Sequence, residues 1–245
     1  MSDDMRQFYD DEAQRQKWGR DLVGAGLFSC EAGMVDTYFQ PGASVLDVGC
    51  GGGREALALA ERGFQVTAVD YTPAFVEACT AAAKERGLTI DVRQANADSL
   101  PFADEQFDHV IMVGQLLGHV RPQARRRQVL REIGRVMKPG VAIVSTNAIE
   151  RSPMYGAYFL VANFVRRFYN PHELEENDAF VRHVGESARL MKPRPVFHWY
   201  HADEFRLDAA AADWQVEKIL RRWEEERDPT DRSTSGETFY AIRKG

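Results

Sequence analysis

Apolar runs of strand length alternate with amphipathic stretches of helix length along much of this sequence. The runs predict five strands, over residues 44–48, 64–69, 88–93, 107–113 and 141–146. Between them the spacing of apolar positions predicts helices over residues 54–62, 74–86 and 122–137. Strands that alternate with helices in this way are typical of a parallel sheet covered on both faces, which binds ligands at the carboxyl ends of its strands.

The alternation is absent from both flanks of this region. Residues 1–40 are rich in charge with interspersed aromatic residues, and we interpret them as a helical cap. Residues 148–197 interrupt the pattern with the aromatic side chains Tyr155, Tyr158, Phe159, Phe164, Phe168 and Tyr169. We interpret this stretch as an inserted lid that forms the acceptor pocket with the leading helices.

Periodic elements return after the lid. A helix is predicted over residues 203–212 and strands over 214–220 and 238–242. Two closing strands would bring the sheet to seven. We therefore predict one α/β domain, whose core consists of residues 41–147 and 198–245.

A glycine-rich turn follows the first strand. Gly49, Gly51 and Gly53 leave no Cβ to block a ligand that lies on the backbone. Asp70 closes the second apolar run, and its carboxylate can accept two hydrogen bonds from a ribose diol if the two strands are neighbours. The two features together predict a nucleoside site.

The glycine spacing indicates which nucleoside. A dinucleotide site needs Gly-x-Gly-x-x-Gly, and Arg54 occupies the third glycine position, so a dinucleotide oxidoreductase is the least favoured alternative. The pattern Asp47-x-Gly49-x-Gly51-x-Gly53 instead resembles the first motif of class I S-adenosylmethionine-dependent methyltransferases, in particular the type 11 and type 25 methyltransferase domains.

The resemblance continues as far as residue 140. Residues 68–72 resemble the ribose-binding motif of that family, and residues 96–102 resemble its adenine-binding segment. Residues 107–111 resemble the fourth strand, and residues 132–140 the helix and turn before the fifth. The family's common Pro-Gly-Gly ends here in Val141, which we expect to alter a turn and leave cofactor binding intact.

The resemblance implies a Rossmann-like, doubly wound, mostly parallel sheet of seven strands. It also implies transfer of a methyl group from S-adenosylmethionine to a small or medium-sized acceptor, with S-adenosylhomocysteine as product. The cofactor-binding residues that it implies are Asp47, Gly49, Cys50, Gly51, Asp70, Tyr71, Ala97, Asp98 and Gln115.

Three of these residues have a specific expected role. Asp47 would order the glycine loop, and Asp98 would accept a hydrogen bond from the adenine amino group. Gln115 would face the sulfonium or the acceptor. A loop or helix cap is the alternative for Asp98, and a strand cap for Gln115. Tyr9 and Trp18 are expected either to close over the cofactor or to belong to the core.

Histidines are the natural candidates for removing a proton from an acceptor. His119 follows the fourth strand, and His198 and His201 flank an aromatic pair. Packing or surface exposure is the alternative for each. Since His198 and His201 lack an evident third ligand, no metal is predicted.

The overall charge argues against nucleic acid as a partner. The formal net charge is −6, whereas phosphate backbones attract concentrated Lys and Arg. The run 125–127, three arginines, is expected to lie on a solvated helix face. An RNA-modifying methyltransferase nevertheless stays as an alternative, as does a non-catalytic module that binds S-adenosylmethionine.

Cysteine usage and hydropathy bear on the compartment. Cys30, Cys50 and Cys79 lack paired spacing, so a reducing, cytoplasmic compartment is expected. The amino-terminal residues lack the features of a secretion signal, and the apolar stretch 155–165 is too short to span a membrane. The acceptor, the atom methylated and the oligomeric state stay open.

Overall fold

A computed structural model describes residues 5, 8–180, 195–225 and 236–244. The strands are β1 Ser44–Val48, β2 Gln65–Asp70, β3 Asp91–Gln94, β4 His109–Met112, β5 Val141–Asn147, β6 Asp178–Phe180, β7 Val196–His198, β8 Trp214–Arg221 and β9 Glu237–Lys244. The α-helices are α1 Glu12–Gln16, α2 Ser29–Tyr38, α3 Arg54–Glu61, α4 Pro73–Glu85, α5 Gln123–Val136, α6 Pro153–Arg166, α7 Ala202–Ala210 and α8 Arg222–Glu225.

Seven strands form one sheet in the order β3-β2-β1-β4-β5-β9-β8. Strands β1 to β5 are parallel, and β9 lies antiparallel between β5 and β8. Strands β6 and β7 form a separate two-stranded antiparallel sheet. The predicted seven-stranded, mostly parallel α/β fold is therefore confirmed.

Burial explains why the central strands were recognisable in the sequence. Every residue of β4 and β5 is buried, because helices cover both faces of the sheet there. Helices α5 and α7 contribute apolar side chains to the core on one face, and α2, α3 and α4 contribute to the core on the other. The carboxyl ends of β1, β2 and β4 consequently open at one edge of a rigid sheet.

The leading segment and the third strand differ from their predictions in instructive ways. The leading segment is not one helical cap but a series of short pieces, with a π-helical turn at Lys17–Asp21 and a 3-10 turn at Val23–Ala25 between α1 and α2. Gly26, at φ +67°, ends this series because few other residues adopt that conformation. The third strand begins at Asp91 and not at residue 88.

The stretch interpreted as a lid contains α6, followed by β6 and β7. Its residues 181–194 lie outside the described part of the chain. Within the described part, no helix has the length and apolar character needed to cross a membrane.

Candidate active site

A cleft lies at the carboxyl ends of β1, β2 and β4. It encloses about 990 Å³ including its open mouth, which suits a cofactor-sized ligand. Six of the predicted cofactor residues line it: Gly49, Cys50, Gly51, Asp70, Tyr71 and Ala97. It is also lined by side chains that the motifs did not include, among them Leu22, Glu55, Phe75 and Leu116.

The Asp70 carboxylate connects the two motifs. One oxygen accepts from the backbone N–H of Gly51 at 3.0 Å, and the other from the N–H of Thr72 at 2.8 Å. Burial raises the pKa of Asp70 to about 6, although these N–H groups favour the charged form. Asp70 thus fixes the glycine loop while its side chain borders the cleft.

Two glycines in this loop are required by space. Gly49 has φ +80°, and a Cβ there would lie 2.4 Å from Leu116. A Cβ on Gly52 would lie 2.5 Å from the carbonyl oxygen of Gly19, in the leading segment. Bare backbone at Gly49 and Gly51 therefore faces the cleft, as a closely bound nucleoside requires, and these residues fit S-adenosylmethionine.

The leading segment supplies one wall of the cleft. The N–H of Gly52 donates to the carbonyl oxygen of Trp18 at 3.0 Å, and Trp18, Leu22 and Tyr9 all border the cavity. Sequence patterns could only suggest Tyr9 and Trp18. Leu22 carried no signal, because its position depends on the π-helical turn that precedes it.

His119 and Tyr9 meet at the cleft. The Tyr9 hydroxyl lies 3.1 Å from Nδ1 of His119, and the His119 ring stacks on Phe197 with the ring centres 4.1 Å apart. Burial lowers the pKa of His119 to about 3, so its imidazole is neutral at neutral pH. Burial, with the charge of Asp70 second, raises the pKa of Tyr9.

Behind the glycine loop lies a buried group of charges. Arg54 donates to both carboxylate oxygens of Glu31, at 2.6 and 2.7 Å, and also pairs with Glu55. Burial raises the pKa of Glu55 to about 7. Nearby, Glu237 accepts from Ser145 at 2.5 Å. The sequence hinted at this group only through the adjacent Arg54 and Glu55.

Three predicted cofactor residues do not line the cleft. Asp47 is buried in β1, where burial raises the pKa of its carboxyl and one of its oxygens has no hydrogen-bond partner among the described residues. The Asp98 carboxylate is bound by Arg125. Gln115 sits between cleft residues at φ +65°, and its N–H donates to Ser145. Their roles toward the cofactor stay predictions.

The other two candidate bases are not in the cleft. His198 is buried, with Nδ1 3.0 Å from Asp178 and Nε2 2.9 Å from Glu204. Both ring nitrogens are therefore engaged by carboxylates, which is the packing alternative for His198, and its catalytic role stays a prediction. His201 is largely exposed and lies 3.3 Å from Glu150. It does not border the cleft either, and the proton-removing role predicted for it stays a prediction.

Glu175 and Asp178 lie beside His198 and could serve with it as metal ligands, which the sequence did not indicate. The three donor atoms lie within 4.8 Å of one another. However, Arg126 pairs with Glu175 and Arg121 with Asp178, both at 2.8 Å. These contacts engage the same carboxylates, so the arrangement is a network of ion pairs.

The arginines of α5 do not form a solvated face. Arg126 is buried, and Arg125 and Arg127 pair with Asp98 and Asp208. This corrects the sequence interpretation, which rested on the apolar side of the helix alone. Carboxylates on neighbouring elements neutralise the run.

Comparison with known proteins agrees with the fold and the cleft. Residues 45–140 match the family model described as "Methyltransferase domain". An uncharacterized protein of Mycobacterium tuberculosis is 39% identical over 103 residues, 42% of this chain and 36% of its own length. A ubiquinone biosynthesis O-methyltransferase of Stutzerimonas stutzeri is 35% identical over 146 residues, 54% of this chain and 61% of its own length. The matches thus span about a third to three fifths of these relatives.

A solved structure extends the likeness to most of the chain. A SAM-dependent methyltransferase of Methanosarcina mazei superposes with a TM-score of 0.69, covering 89% of this chain and 97% of its own, at 21% identity. At that identity the likeness concerns the fold. Residues 45–140 are therefore similar to a methyltransferase domain, and the chain has the α/β fold of a solved SAM-dependent methyltransferase.

Proposed function

We propose that this protein is an S-adenosylmethionine-dependent methyltransferase that acts on a small-molecule acceptor. The observation that carries the proposal is the Asp70 carboxylate, which borders the cleft and holds Gly51 of the glycine loop at 3.0 Å. This is where the ribose of the cofactor would lie if residues 45–140 bind it as the family motif implies.

Bound S-adenosylmethionine supplies an activated methyl group on a sulfonium. The protein then has to hold donor and acceptor in line and exclude water, and such positioning can contribute about 7–11 kcal/mol to lowering the barrier. The glycine loop and Asp70 would hold the adenosyl part. Tyr9, Trp18 and Leu116 would shield the reacting end from solvent.

His119 favours an oxygen acceptor. A hydroxyl must lose its proton as it attacks, whereas neutral amines and activated carbons do not require a base. His119 borders the cleft as a neutral imidazole, and its stacking on Phe197 fixes the ring. We infer that it accepts a hydrogen bond from the acceptor hydroxyl and orients it for attack, because a pKa of about 3 makes the imidazole a weak proton acceptor. Relatives named O-methyltransferases support this choice.

Calorimetry and product analysis test the proposal. S-adenosylmethionine and S-adenosylhomocysteine should bind the wild-type chain, and Asp70→Asn should weaken binding because the ribose loses a charged acceptor. Asp91→Asn is the matched control, since Asp91 lies on the adjacent strand and pairs only with Arg93 in the contacts described. No binding to wild type, or equal binding to both variants, would refute the assignment.

Turnover separates an enzyme from a binding module. With a panel of phenols and alcohols, only an enzyme yields S-adenosylhomocysteine in proportion to methylated product. The RNA alternative predicts a steep dependence of binding on salt. Its structural basis is weak, because all three arginines in the run 125–127 are paired with carboxylates.

A further inference from the structure

Helix α6 has one side attached to the protein and one side that no described residue covers. On the attached side, Phe159 is buried and lies with Tyr155 against Trp199. Asn163 donates to Asn177 at 2.9 Å, and Arg166 donates to the carbonyl oxygen of Glu175. These contacts dock the helix on the β6–β7 sheet and fix which side faces outward.

The outward side is almost entirely apolar. Five positions follow the spacing of a helix-pairing seam, with steps of four, three, four and three residues: Met154, Tyr158, Val161 and Val165 on α6, and Phe168 in the turn just after it. Their side chains are between 48% and 79% exposed. Leu160, Phe164 and Tyr169 are also exposed beside them. A seam of this period packs against a second helix by interdigitating side chains.

The exposed area matches what a stable dimer buries. At roughly 200 Å² for a fully exposed side chain of this size, the eight exposed residues amount to about 1,000 Å². Monomeric proteins seldom exceed about 300–600 Å² in one apolar patch. A standard interface buries about 800 Å² from each partner, so one copy of this surface is sufficient.

Charge distinguishes a second copy from a lipid surface. A helix that lies on a membrane carries several Lys or Arg along its polar face. Arg167 is the one exposed basic residue among the described positions 153–169, and Glu173 and Glu176 are exposed just beyond them. The seam bears no charge, so it is complementary to another apolar seam. A second copy of this chain presents such a seam.

We propose that α6 pairs with α6 of a second copy of this chain, antiparallel across a twofold axis. In such an interface the same patch serves both subunits, and its middle residue meets itself. Val161 is the middle of the five seam positions and would lie at the axis. Met154 would face Phe168 of the partner.

Pairing would also brace the cleft. Trp199, which α6 covers, directly follows β7, and β7 carries the Phe197 ring that stacks on His119. The carbonyl oxygen of His198 comes within 2.6 Å of where a Cβ on Gly118 would lie. Strand β7 therefore packs tightly on the 3-10 turn Leu116–His119, which contains Gly118. Fixing α6 would therefore limit the movement of Phe197, whose ring supports His119 in the cleft.

The mass of the full chain in solution tests the pairing. Light scattering and sedimentation equilibrium at micromolar concentration should show the wild type as a dimer. Val161→Glu should weaken dimerisation about 100-fold or more, because each subunit would bury a charge at the axis. Leu207→Glu is the matched control, since Leu207 is 68% exposed on α7, a helix that carries none of the seam residues, and this variant should stay dimeric.

Disulfide trapping tests the geometry independently. Val161→Cys should form a covalent dimer on mild oxidation, whereas Met154→Cys should not, because its copy would lie about 20 Å away along the helix axes. The native cysteines Cys30, Cys50 and Cys79 are buried and should give little background. A monomeric wild type, a dimeric Val161→Glu, or binding of the monomer to phosphatidylglycerol vesicles would each overturn the proposal. Calorimetry with S-adenosylhomocysteine should be unchanged in Val161→Glu, which separates this proposal from the cofactor assignment.

Discussion

Replacing Gly52 by alanine tests whether the leading segment is built into the cofactor loop. A Cβ at this position would lie 2.5 Å from the oxygen and 2.7 Å from the carbon of the Gly19 carbonyl, and 2.7 Å from a methyl of Val23. The Gly19 carbonyl belongs to the backbone, so it cannot move aside as a flexible side chain would. The φ of Gly52 is accessible to alanine, which makes the effect purely one of space.

The expected size follows from overpacking. Inserting a methyl group into a packed site costs about 1–3 kcal/mol. For a domain of this length, each kcal/mol lowers Tm by about 2–4 °C, so Gly52→Ala should lose roughly 2–12 °C. If the segment separates from the loop to relieve the clash, Tyr9 and Trp18 leave the cleft and affinity for S-adenosylhomocysteine falls as well.

Equilibrium unfolding, calorimetry and trypsin digestion measure these effects. Trypsin should cut Gly52→Ala faster at Lys17 or Arg20, both in the leading segment. Gly33→Ala is the control, because Gly33 lies in α2 with open space around its would-be Cβ, and alanine there should stabilise by about 0.5–1 kcal/mol. A Gly52→Ala protein with wild-type Tm, affinity and digestion would refute the close approach of the two segments.

Affinity for S-adenosylhomocysteine should fall about tenfold per pH unit below pH 6, because Asp70 has a pKa of about 6 and its protonated form is a poorer acceptor; calorimetry showing a flat profile would contradict this. His119→Gln should lower kcat about 10²-fold toward any hydroxyl acceptor that the wild type methylates, with donor affinity unchanged, because a misplaced acceptor reacts more slowly, and full activity would exclude His119 as the group that orients the acceptor. His198 should stabilise the fold in a pH-dependent way. Burial opposes its charge, but Asp178 and Glu204 outweigh burial and raise its pKa, so its contribution is complete below about pH 6.5 and is lost as pH rises through the raised value. The Tm gap between wild type and His198→Gln should therefore shrink from acidic to alkaline pH, and a constant gap would be inconsistent with a charged His198.

The sequence predicted best the elements whose burial is continuous. Strands β1 and β5 and helix α3 agree with prediction to within one residue, since buried runs and an amphipathic period are local properties. Strand β3 is mostly exposed at the edge of the sheet. Leu88 and Ile90 are apolar, so the prediction started the strand at residue 88. In the structure these two residues precede the strand and pack against side chains of α3 and α4.

Contacts between distant residues could not be predicted. Tyr9 and His119 are 110 positions apart, and Arg125 and Asp98 are 27 apart. Nothing local in the sequence pairs them, because the sheet topology decides which loops meet. The same holds for His198, whose spacing to His201 suggested ligand chemistry while the fold surrounds it with carboxylates from other elements.

The lining of the cleft falls into a part that lies within residues 45–140, which match the family model, and a part that lies before them. Residues 45–140 contain the glycine loop, Asp70 and Ala97, which border the region expected for the donor. Tyr9, Trp18 and Leu22 border the same cavity but lie before the matched range. If the donor binds as proposed, it would lie on the part that matches the family model. His119 in that part and the leading segment outside it would both border the acceptor, so acceptor preference could change through the leading segment while the donor site stays the same.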